Sequence, residues 1–137
     1  MRDTSSKPRD VEAAVRACFE AFRDRRRADA EAVIADGFTF TSPYDDAIDR
    51  AAYFERCWPN GDRFADFDIE RVSVDGDAAF ITYLGTLADG TSFRNTEYLT
   101  VKDGQVTSVN VYFGPTYRNG RFVAQKPSSQ AGLDPVP

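Results

Sequence analysis

The hydrophobic positions follow two spacings. In the first sixty or so residues they recur mostly at helical intervals, broken by one short alternating run, and after that they alternate. Val11, Ala14, Val15, Cys18, Phe19 and Phe22 make one apolar stripe, which predicts a helix opened by Asp10 as N-cap. Ala32, Val33 and Ile34 predict a short second helix starting near Asp29, with Gly37 as its left-handed cap. Phe38 and Phe40 alternate with Thr39 and Thr41 in a short strand that Pro43 stops. Tyr44, Asp45 and Asp46 read as a loop. A third helix carries Ala52, Tyr53, Phe54, Cys57 and Trp58 until Pro59-Asn60-Gly61 breaks it.

Four strands follow. The first runs from Phe64 to Val74, and its alternation slips between Ile69 and Val72, which predicts a bulge. The others cover Ala78 to Leu87, Phe93 to Val101 and Val106 to Phe113, joined by tight turns at Gly76, Gly90 and Gly104. Sequential strands with such turns pair as an antiparallel meander. A helix block followed by a strand block is the α+β pattern: three N-terminal helices packed on a curved antiparallel sheet, with a pocket between them. Residues 1–9 read as a polar tail and 10–115 as the domain. Residues 116–137 read as an extension, disordered after about Lys126.

Composition narrows the chemistry. The net charge of −5 argues against a nucleic-acid partner. Arg23, Arg25, Arg26 and Arg27 cluster where the first helix ends, and there cations complement the helix dipole. There is no histidine, which removes Ser-His-Asp and Cys-His catalysis and makes a zinc site untenable; no metal or cofactor is expected. Cys18 and Cys57 sit in apolar helical surroundings and read as free buried thiols. No apolar run resembles a secretory signal or a membrane span, so the expected compartment is the cytoplasm.

Polar residues become informative where they interrupt an apolar face. On the third strand Phe93, Leu99 and Val101 mark the inward side, and Asn95 and Glu97 share it. On the fourth, Thr107, Val109, Val111 and Phe113 share the inward side. The second is apolar on both faces, so alternation leaves its inward side open; counting from the Asp75-Gly76-Asp77 turn favours Ala79, Ile81 and Tyr83 inward. Two readings of Asn95 and Glu97 stand. Either they lie at the open end of the sheet, solvated or bonded to backbone, or they enter the pocket. In the second case burial raises the Glu97 pKa and fits it for acid–base work or hydrogen bonding to a ligand oxygen. Asp45 and Asp46, next to a helix start, read as caps rather than a metal pair. Phe54 and Trp58 read as core, with a wall of the pocket as the alternative.

The order of elements, with FTFTSP, VSVDGDAAFITY and VKDGQVTSVNVYFG, resembles the nuclear-transport-factor-2-like superfamily and looks closest to its SnoaL-like branch. The resemblance covers roughly residues 10 to 115. It implies a cone with a deep pocket, dimerisation through the outer sheet face, and either cofactor-independent isomerase, cyclase, dehydratase or epoxide hydrolase chemistry or non-catalytic binding. By position, Cys18 stands where the ketosteroid isomerases carry a tyrosine on the first helix. Ser42 precedes Pro43 where they carry the base aspartate. Glu97 matches their oxyanion-binding aspartate. Val109 and Val111 replace inward His or Asp of many SnoaL-like relatives, and Gly114 follows Phe113 where an aspartate is common. The Arg-x-Asp pair of the epoxide hydrolases is absent, because Arg94 is followed by Asn95 and Thr96.

The sequence therefore leads to two hypotheses. In the first, Glu97 supplies acid–base or oxyanion chemistry on a small, largely apolar, oxygen-bearing molecule of polyketide or terpenoid type. Asn95, Tyr83 and Ser42 orient it, and Cys18, Tyr44, Phe54, Trp58, Val109, Val111 and Phe113 line the site. In the second, the domain binds a ligand or a protein without catalysis. A homodimer is expected through outward Tyr98, Tyr112, Asn110, Phe80 and Leu84.

Overall fold

The computed structural model of the chain describes residues 8–123. Helix α1 (Pro8–Arg23) lays the apolar stripe against the sheet: Val11 and Val15 are fully buried, and Cys18 and Phe19 nearly so. Asp10 is not the cap but lies in the first turn, where its charge still complements the dipole. Helix α2 (Arg27–Val33) is shorter than expected. Ile34 is already extended, and Gly37 lies within a strand without positive φ, so it is no helix cap. The β-branched pair Val33-Ile34 favours that early switch.

Strand β1 (Ile34–Ser42) pairs antiparallel with β2 (Asp45–Asp49), a strand where the sequence predicts a loop. Asp45 and Asp46 therefore cap nothing. Asp49 caps helix α3 (Arg50–Arg56) by accepting from the Ala52 N–H at 2.9 Å. A 3₁₀ turn, Trp58–Arg63, follows.

The meander consists of β3 (Phe64–Asp75), β4 (Ala78–Leu87), β5 (Ser92–Lys102) and β6 (Gln105–Arg118). The slip in β3 falls at Ile69/Arg71, where the bulge was expected. The full order is β2-β1-β6-β5-β4-β3, and a short β7 (Arg121–Phe122) pairs with the end of β6. The sheet is mixed, because β1 runs parallel to β6. A long connection through β2, α3 and the meander brings β6 alongside β1 in the same direction, a pairing that local alternation cannot reveal.

Two further details depart from the sequence reading. A register shift opposite Thr100/Val101 puts Val106, not Thr107, in the core. β6 also continues past Pro115 to Arg118, so the strand enters the segment read as an extension. The expected disorder beyond Lys126 and most of the expected tail at 1–9 lie outside the described residues.

The arginine cluster does more than complement a dipole. Arg25 ends α1 at φ 57° and donates to the Trp58 carbonyl at 2.7 Å. It also pairs with Asp62 at 2.9 Å, and its guanidinium lies 4.4 Å from the Trp58 ring centroid. It thereby ties the end of α1 to the 3₁₀ turn at the rim of the sheet.

Candidate functional site

The sheet curls around α1 and α3 and leaves a cavity of about 130 Å³ between them. Period-2 alternation builds its floor. β1 contributes Phe38, Phe40 and Ser42, and β6 contributes Val109, Val111 and Phe113. β5 contributes Phe93, Asn95 and Glu97; β4 adds Tyr83 and β3 adds Phe64 and Phe67. The helical side supplies Cys18, Phe19, Phe22, Tyr53 and Cys57. Eight of the chain's eleven phenylalanines line this one space.

Glu97 lies in the cavity lining on β5. It pairs across the sheet with Ile81 on one side and Val111 on the other, so its backbone sits among apolar inward neighbours. The residue is half-buried because the cavity itself admits solvent, but the carboxyl lies within apolar walls. Desolvation there pushes its pKa up to about 7, against the opposing pull of a hydrogen bond from Tyr83. That bond, from the Tyr83 hydroxyl to Glu97 Oε2, is 2.8 Å.

Tyr83 is itself held. Asn95 Nδ2 donates to its hydroxyl at 3.1 Å, and the Gly114 N–H donates to Asn95 Oδ1 at 3.2 Å. The chain Gly114–Asn95–Tyr83–Glu97 thus runs from a backbone amide to the carboxylate, with every proton direction fixed. Burial, with the Glu97 charge adding to it, keeps the phenol well above its ordinary pKa, so Tyr83 stays a donor. The Tyr83 ring stacks on Phe67, centroids 4.4 Å apart, which fixes its plane. Gly114 is required by close approach: a Cβ there would stand 2.1 Å from the Arg94 carbonyl.

A second polar group occurs on the β1–β2 side. Asp45 is buried, with Arg56 Nη2 2.7 Å from its Oδ1. That approach is an ion pair outside hydrogen-bond alignment, so Oδ1 is closed off by charge without an aligned donor. Oδ2 receives only long contacts, from the Ser42 hydroxyl at 3.3 Å and the Cys57 thiol at 3.8 Å. The Ser42 oxygen in turn accepts from the Tyr44 N–H at 3.1 Å. The Cys18 and Cys57 thiols are both pushed up to about 12, chiefly by burial, so they are inert walls rather than nucleophiles.

The structure thus brings together Cys18, Ser42, Tyr44, Tyr83, Asn95, Glu97, Val109, Val111 and Phe113. It does not bring Phe54 and Trp58 to the cavity. Both are buried in the α3 region, where Arg27 and Arg50 stack over Phe54 and Arg25 over Trp58. Tyr53, Phe38, Phe93 and Asp45 also line the cavity, although the sequence does not single them out as lining residues. For Asp45 no local signal existed, because its burial depends on Arg56 reaching over from α3. Among the described residues no group of three or more side chains could hold a metal ion.

A family model of the SnoaL-like domain matches residues 15–109. No match to a curated protein is found. Among solved structures, the chain is similar to a putative ketosteroid isomerase from Kribbella flavida, with 21% identity and a TM-score of 0.68, covering 89% of this chain and 93% of that one. It is similar to a LEH-like epoxide hydrolase of M. tuberculosis, with 21% identity, a TM-score of 0.64 and coverage of 79% and 85%. An NTF2-like protein of unknown function from Mesorhizobium loti shows 23% identity, a TM-score of 0.67 and coverage of 82% and 96%. At these identities the likeness concerns the fold.

Proposed function

Because the chain belongs to the SnoaL-like domain family, we propose that its cavity binds a small, largely apolar, oxygen-bearing molecule and that Glu97 exchanges a proton with it. The observation that carries this reading is the Glu97 carboxyl inside an apolar cavity, oriented by the Tyr83 hydroxyl at 2.8 Å; burial there pushes its pKa up to about 7. Near neutral pH such a group is populated in both protonation states. As an acid it donates to a ligand carbonyl or ether oxygen; as a base it takes a proton from the adjacent carbon. Tyr83 is its positioning residue, and Asn95 acts through Tyr83. The reaction class is cofactor-independent isomerisation, cyclisation or dehydration.

The test needs no known substrate. Small ketones, acetophenone and cyclohex-2-enone, are incubated with the protein in D₂O, and hydrogen exchange next to the carbonyl is followed by NMR. Exchange above the buffer rate in the wild type, reduced at least 100-fold in Glu97→Gln, supports the reading. Equal exchange in both proteins refutes proton transfer by Glu97. The other reading, a binding domain without catalysis, is favoured by the closed hydrogen-bond chain behind Glu97. It is what remains if the ketones bind and nothing exchanges.

A further inference from the structure

Resting on that reading of Glu97, we propose that the ligand is a neutral molecule built on one planar unsaturated ring, with a hydrogen-bond donor that Asp45 accepts at the far end of the cavity from Glu97.

Charge is the first argument. The lining contains two carboxylates, Glu97 and Asp45, and no lysine or arginine. Arg56 is turned to Asp45 and is itself partly exposed, outside the lining. A ligand carboxylate or phosphate would enter facing two acids with no cation to receive it. Anionic molecules are thereby selected against.

Shape is the second. The walls are mostly rings, and apart from the stacked Phe67–Tyr83 pair those rings meet each other edge-to-face or tilted, as in Phe64–Phe93 at 5.6 Å and Phe19–Tyr83 at 5.5 Å. A flat ring presents a face to some walls and an edge to others and continues that packing; a puckered saturated ring does neither well. The volume of about 130 Å³ is close to that of apolar cavities of ~150 Å³ that accept benzene. One ring with short substituents fills that space.

Asp45 is placed to receive the ligand's other end and is incompletely satisfied. It pairs with Ser42, and Ser42 lies one step beyond the Thr41–Asn110 pair, level with Val111 and Glu97. Asp45 and Glu97 therefore stand on one row across β2, β1, β6 and β5. Three strand spacings separate them, roughly 14 Å along the sheet backbone. Both side chains enter the same cavity, so a ring with groups at opposite ends lies between them. A buried carboxylate has about four acceptor sites. Oδ2 of Asp45 has only contacts of 3.3 and 3.8 Å among the described residues. A ligand hydroxyl supplies the short, charge-assisted bond that this oxygen lacks.

The test is calorimetric titration with four probes: 4-hydroxyacetophenone, acetophenone, cyclohexyl methyl ketone and 4-hydroxybenzoate. The expected order of affinity is the hydroxyketone about tenfold above acetophenone, acetophenone above the cyclohexyl ketone, and no binding of the acid. In Asp45→Asn the advantage of the hydroxyl falls to about threefold or less. If that variant does not fold, the comparison of the two aromatic ketones on the wild type decides. A silent hydroxyl, equal affinity for the cyclohexyl ketone, binding of the acid, or no binding of any probe overturns the assignment. Glu97-dependent hydrogen exchange with a silent hydroxyl overturns Asp45 alone and leaves the Glu97 reading standing. A tenfold hydroxyl effect without exchange does the reverse.

Discussion

Glu97 carries a stability cost that pH reveals. Its folded pKa, about 7, lies above the ordinary value of 4.5, so the folded state binds more protons than the unfolded chain between those limits. Stability contributed by this group is complete below pH 4.5 and declines as pH rises toward 7, by at most roughly 3 kcal/mol, since solvent in the cavity screens part of the shift. Urea titrations from pH 4 to 9 are expected to show that decline in the wild type and not in Glu97→Gln. The Tyr83 bond pulls the same pKa down. Tyr83→Phe therefore moves the declining limb to higher pH, whereas a limb that stays or moves lower would mean that the bond does not reach the carboxylate. Asn95 and Glu97 were legible beforehand because alternation assigned them to an inward face. Their connection through Tyr83 was not, since the bond crosses from β5 to β4 and depends on register.

At the scale of elements, β5 and β6 hold the site. Gly114 lies beside a register shift at Phe93/Asn95, and its amide anchors the hydrogen-bond chain. A methyl at Gly114 collides with the Arg94 backbone, which cannot swing away as a side chain could. Gly114→Ala is expected to lower stability by about 2 kcal/mol or more and, by loosening Asn95, to change the pH limb assigned to Glu97. An unchanged limb in a destabilised variant would confine Gly114 to a packing role. The elements the sequence misassigned were the short ones. Residues 34–36 looked helical because Ala32, Val33 and Ile34 continue a stripe, yet the strand begins at Ile34, which pairs with Val106 of β6. Segment 45–49 has no apolar alternation, and it is a strand because β1 offers it an edge.

The whole molecule presents a concave face to α1 and a convex face outward. On the convex face Phe80 is 43% exposed and Tyr112 58% exposed, and the Phe80 ring lies 4.8 Å from that of Tyr98. Leu84, Tyr98 and Asn110 are half-buried on the same side. We propose that this face joins two copies. Sedimentation at micromolar concentration is expected to return twice the chain mass, and Phe80→Ser with Tyr112→Ser to return the chain mass. A wild-type monomer contradicts the dimer. Among the described residues no helix is long and apolar enough to cross a membrane.

What the sequence determined by itself follows from periodicity, which is local: the amphipathic α1, the meander with its bulge, and the inward side of β5. The absence of histidine likewise fixed which acid–base groups remain. The tertiary structure decided what depends on neighbours distant in sequence. It made the sheet mixed by setting β1 beside β6, and it carried Phe54 and Trp58 away from the cavity under stacked guanidiniums. It turned Asp45 from a presumed cap into a buried, ion-paired wall of the site. Charge and burial are properties of a place rather than of a residue type, and only the assembled sheet creates that place.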